Sequence, residues 1–136
     1  MKQSFMCGNT ADKQSLFQFS SIDRFEFSYL NGNFMHGRVV YGVEHKSDKY
    51  EIFIQSDQFA ADECFIRRLL SILKEHRIDQ WNGFDHTDET VMDGSDFYLL
   101  LSNESGRIDA YGYEAWPENY QTVKLLIDEL FMSFYK

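Results

Sequence analysis

The sequence predicts an α+β fold: a single domain whose antiparallel sheet, in the order βββ-α-ββ-α, carries two helices packed on one face. Three observations predict it. Five stretches alternate apolar and polar residues with period 2, the pattern of half-buried strands. Two others repeat apolar residues at spacings of three and four, which puts them on one stripe of a helix. Turn signals, Asn31-Gly32 above all, join neighbouring strands tightly and so make them antiparallel. The 136 residues are the size of one domain, and no linker interrupts them, so the domain is taken as 1–136. With 13 Phe and 8 Tyr the chain has the apolar bulk for a core, which excludes global disorder.

Residues 1–20 show no sustained period and are expected to be irregular or partly disordered. From Ile22 a first strand begins, with Phe25, Phe27 and Tyr29 alternating with Arg24, Glu26 and Ser28. After Asn31-Gly32 the return strand runs from about Phe34 to Val43, with Val39, Tyr41 and Val43 on one face. A polar turn, 45–49, leads to a third strand in which Tyr50, Ile52 and Ile54 alternate. The period then changes. Ser56 or Asp57 is the expected cap of a helix from Phe59 to about Arg77, with its stripe at 59, 66, 69, 70 and 73. A loop from Asp79 to Asp96 follows, then strands over 97–102 and 107–113 joined by Asn103-Glu104-Ser105-Gly106. Pro117 suits the first position of the last helix, whose stripe is Tyr120, Val123, Ile127, Leu130 and Phe134 at spacings of three and four, widened by Leu126 and Phe131.

Charge is uneven along the chain. Between Ile78 and Val123 ten acids face a single base, Arg107, so this segment carries the whole net charge of −9. Phosphate binding needs Lys and Arg, so nucleic acid is not an expected partner. An acidic face steers a basic protein toward it. The residues expected to meet such a partner are Asp85, Asp88, Glu89, Asp93, Tyr111, Tyr113 and Glu114. Trp81, Phe84 and Trp116 stand at element junctions and are expected to be packing anchors.

Motifs for chemistry are sparse. Phosphate loops, dinucleotide fingerprints, zinc-protease helices and nucleophile elbows are all missing from the sequence. Asp85, His86, Asp88, Glu89 and Asp93 concentrate oxygen ligands in one loop, but their spacing fails the calcium-loop pattern. Neither a metal nor a cofactor is expected, and no catalytic residue is assigned. An enzyme would need Asp85, His86 and Ser95 to converge in one cleft. Cys7 and Cys64 lack metal-like spacing, and Cys64 is expected to be a small buried apolar group within its helix. There is no apolar leader pattern at Met1–Gly8 and no run near the roughly 18 apolar residues that cross a bilayer, so a cytoplasmic protein without membrane contact is expected.

The run Trp81-x-Gly83-Phe84-Asp85, Asp93-Gly94-x-x-Phe97-x-Leu99, Gly106-x-Ile108-x-Ala110-x-Gly112 and Pro117-x-Asn119-Tyr120 resembles uncharacterised small bacterial domains. In those a Trp-Gly loop, a strand led by Asp-Gly, a hairpin and a Pro-led helix follow one another. The element order is also similar to the small metalloprotease inhibitors of the emfourin type. The resemblance covers about residues 81–131; it implies the fold and brings no activity. The function expected is a non-enzymatic interaction module, inhibitor-like or immunity-like. The alternative is a small-molecule or metal-binding domain with a pocket between sheet and helices.

Overall fold

The computed structural model describes residues 17–31, 37–91 and 94–136. Cys7, Gly32, Phe34 and Asp93 therefore lie outside the described residues, as does nearly all of the segment expected to be irregular. Seven strands form one sheet: β1 Arg24–Leu30, β2 Arg38–Lys46, β3 Lys49–Ile54, β4 Asp57–Ala61, β5 Asp85–Thr87, β6 Asp96–Asn103 and β7 Gly106–Tyr113. Helix α1, Glu63–Glu75, stands between β4 and β5, and α2, Tyr120–Met132, closes the chain before a final short turn. The spatial order is β4-β3-β2-β1-β6-β7-β5. All pairings are antiparallel except β5 with β7.

The predicted α+β class is therefore present, with mostly antiparallel strands, but the element order is not βββ-α-ββ-α. Two strands were not expected. Residues 57–61, assigned to the start of a helix, instead pair with β3, and Phe59 sits opposite Ile52. Gln55 takes a left-handed φ of 55° and turns the chain back onto β3. The helix starts only after Asp62, whose Oδ1 accepts a hydrogen bond from Phe65 N at 3.0 Å, so Asp62 replaces Ser56 and Asp57 as the cap. The second unexpected strand, β5, lies inside the predicted loop and is parallel to β7. Pro117 does not open α2. It begins the turn before it, with Tyr120 N donating to Pro117 O.

Period 2 divides the sheet into two faces. Phe25, Phe27 and Tyr29 of β1 neighbour Val43 and Tyr41 of β2 and Leu101, Leu99 and Phe97 of β6, all buried. One core cluster joins these to Leu69 and Leu73 of α1 and to Val123, Ile127 and Phe131 of α2. Phe131 stacks on Phe25 and Tyr41, and Phe65 of α1 meets Phe131 edge-on. Cys64, expected inside, is exposed, because it falls off the α1 stripe of Phe65, Ile66, Leu69, Leu70 and Leu73. No helix among the described residues is long and apolar enough to cross a membrane.

Candidate functional site

The acidic segment folds into one end of the sheet. Trp81 closes a 3₁₀ turn, Ile78–Trp81, and the chain then reverses through Asn82-Gly83. Gly83 has φ +86°, a conformation an L side chain rarely adopts, and this lets its N–H reach Asp109 O of β7 at 2.9 Å. Asn82 Oδ1 accepts from Asp109 N alongside. The chain thereby enters β5 parallel to β7, with Tyr111 N donating to Phe84 O and Asp88 N to Tyr113 O. These two bonds turn the backbone of Phe84, His86 and Asp88 inward. The alternation of the ladder leaves Asp85 and Thr87 facing outward along an edge that no other strand among the described residues occupies.

Asp85, paired in register with Tyr111, is exposed on the sheet face away from the helices. Tyr111 is among the four exposed large apolar side chains of the described chain. The two sit together in a shallow cleft of about 340 Å³ with Phe84 and Asp109. Asp88 and Glu89 follow, both exposed. The Thr90 hydroxyl and amide both donate to Asp88 Oδ1 and hold its carboxyl below the usual carboxylate range. Strand alternation sends His86 to the other face, where its ring meets Phe84 at 4.5 Å, so Asp85 and His86 do not face one another.

Other predicted contact residues are engaged internally. The Tyr113 hydroxyl accepts from Gly94 N at 2.8 Å and donates to Val91 O at 2.9 Å. Glu114, at φ +53°, accepts from Ser95 N through Oε2 while its own N–H donates to Ser95 O. Both therefore tie the loop before β6 to the end of β7. Asp93 lies outside the described residues. Three further acids of the segment are ion-paired. Arg77 grips buried Asp79 through two nitrogens, at 3.1 and 3.0 Å, and the bond raises its own pKa. Arg38 reaches across β1 to Asp96 at 2.8 Å, and Arg107 pairs with Asp109 on the same face of β7. Sequence summation cannot see that Arg77 and Arg38 enter from outside the segment.

The expected anchors pack. Trp81 is 3% exposed and meets Phe97 and Tyr120, and its indole N–H donates to Asn119 Oδ1 at 2.9 Å. Asn119 Nδ2 in turn donates to His76 O at 2.7 Å, which joins the end of α1 to the start of α2. Phe84 and Trp116 are partly buried against the same core.

A second constellation escaped the sequence. On the helix face, the hydroxyls of Tyr29 and Tyr41 both donate to Asp128 Oδ1 of α2, at 2.8 and 2.7 Å. Lys124, one turn earlier, reaches Asp128 Oδ2 at 3.3 Å and lies 4.3 Å from the centre of the Tyr29 ring. Burial, reinforced by the Asp128 carboxylate, pushes both tyrosines far above the ordinary range. Only the lysine–aspartate spacing of i,i+4 is visible in the sequence, because the two tyrosines sit diagonally on adjacent strands. Among the described residues no group of three or more His, Cys, Asp or Glu side chains is placed to hold a metal ion. No protein-family model and no curated protein matches the chain.

Proposed function

We propose that the chain is a non-enzymatic interaction module, inhibitor-like or immunity-like, that presents its β5 edge to a basic segment of a protein partner. One observation carries this reading: Asp85, Asp88 and Glu89 are exposed on and beside a strand whose outer backbone groups have no strand partner among the described residues. An extended segment adds to such an edge through main-chain hydrogen bonds, and side chains at alternate positions then supply selectivity. Lys or Arg on that segment meets the acids at the edge, while Tyr111 offers an aromatic contact on the adjoining face. The charge acts chiefly on the rate of encounter.

The test is capture from lysate of the native host at low and high salt, beside the variant Asp85→Asn/Asp88→Asn/Glu89→Gln. A basic protein retained at low salt, released at high salt and missed by the variant is the expected result. With that partner in hand, the variant lowers the association rate about tenfold at low salt, and screening removes the difference at high salt. Equal capture by wild type and variant rules out the electrostatic reading.

A further inference from the structure

A cleft of about 530 Å³ lies between the helix face of the sheet and the C-terminal end of α2, at the other half of the sheet from β5. Its floor is polar and buried: Tyr29 and Tyr41, 7% and 3% exposed, converge on Asp128. Its mouth is apolar and open. Met132 and Tyr135, 43% and 47% exposed, stand there, so half of the four exposed large apolar side chains of the described chain line this one cleft. Asp57 at the rim accepts a hydrogen bond from the Tyr135 hydroxyl and forms no ion pair among the described residues. Among the described residues two carboxylates line the cleft, and no Lys or Arg does.

We propose that this cleft binds an organic ammonium ion carrying a short apolar body. The corner already holds one ammonium of its own, since Lys124 Nζ rests between the Asp128 carboxylate and the face of Tyr29. A cation beside a carboxylate and over an aromatic ring is attracted by both the charge and the ring quadrupole. The same pair recurs at the mouth, where Asp57 adjoins Tyr135, and there no cation of the described residues fills it. The tyrosine hydroxyls each spend their proton on Asp128 and keep acceptor capacity for a ligand N–H. Burial keeps them neutral, so they accept without ionising. The apolar body covers Met132 and Tyr135, which are otherwise left in water. An anion of the same size meets the Asp57 carboxylate, which no base among the described residues offsets, and is rejected.

The test titrates the whole chain with n-butylammonium chloride and, separately, with sodium butyrate, and follows the ring signals of Tyr29, Tyr41 and Tyr135 by NMR. Saturable shifts at millimolar butylammonium, with none from butyrate, are expected. The exposed substitution Asp57→Asn weakens binding about fivefold, as the loss of one partly exposed charge contact implies. Lys124→Met removes the internal competitor for Asp128 and strengthens binding by a similar factor, whereas a lysine that only props the helix would leave affinity unchanged. The proposal is overturned by equal responses to the two probes or by Asp57→Asn binding as wild type does. It is likewise overturned if neither wild type nor Lys124→Met, each shown folded by circular dichroism, gives a saturable response. The partner-capture experiment probes the other end of the sheet, so the two readings fail separately.

Discussion

Replacing Asn119 with Ala removes two hydrogen bonds that join three elements. The Trp81 indole loses its acceptor and the His76 carbonyl loses its donor. The two losses are unequal. Trp81 is 3% exposed, so its N–H is left buried and unpaired, which costs about 2 kcal/mol. The His76 carbonyl is partly exposed and regains water, so that bond is worth about 1 kcal/mol. The sum, about 3 kcal/mol, lowers the melting temperature of a domain this size by roughly 10 °C. Urea denaturation measures it directly, and the Trp81→Phe background separates its parts. With no indole N–H to strand, Asn119→Ala should cost only about 1 kcal/mol there, a coupling of about 2 kcal/mol. Asn119→Asp keeps the acceptor and should cost about 1 kcal/mol in the wild-type background. The same cost for Asn119→Ala in both backgrounds would refute the argument that Trp81 holds the fold through this bond.

Alkaline stability follows from the tyrosines. Burial foremost, with Asp128 adding to it, raises the pKa of Tyr29, Tyr41 and Tyr120, so each keeps its proton in the fold while the unfolded chain ionises near pH 10. Their stabilisation is complete below about pH 10 and is lost above it, at about 1.4 kcal/mol per pH unit for each tyrosine. The urea midpoint against pH tests this, with a shallower fall expected for Tyr41→Phe; ionisation of all eight tyrosines in the folded state at pH 11 would contradict it. Gly112→Ala places a Cβ into the Ala115 carbonyl oxygen and the Phe97 ring, and overpacking against backbone should cost about 3 kcal/mol by the same denaturation assay. Ser47, at φ 58° in the turn between β2 and β3, tolerates glycine. Ser47→Gly relieves a left-handed cost of roughly 1 kcal/mol against about 0.5 kcal/mol of added chain entropy, so the urea midpoint should rise slightly.

Where burial on one face set the period, the sequence was legible. Phe25, Phe27 and Tyr29, or Ile108 and Ala110, alternate because one side of their strand packs against the helices while the other carries polar side chains such as Glu26 and Asp109. β4 was hidden because Phe59 fits both a helical stripe and a period-2 strand, and Ala60-Ala61 favours a helix. β5 carries no apolar alternation at all: Asp85, His86 and Thr87 are exposed, and their strand state comes from β7 alone. The acids of the candidate site were legible as a charge excess. Their pairing was not, because Asp79, Asp96 and Glu114 meet their partners only through turns and strand register. The tyrosine–aspartate cluster was the least legible, since it joins β1, β2 and α2 across 87 to 99 residues.

Hydrogen exchange of the chain with its captured partner tests the central claim most directly. The amides of Asp85 and Thr87, on the outer side of β5, should slow when the partner is bound at low salt, and return to their free rates at high salt. Slowing confined to the β4 edge or the α2 cleft, with Asp85 and Thr87 unchanged, would contradict an acidic edge that takes up a basic strand.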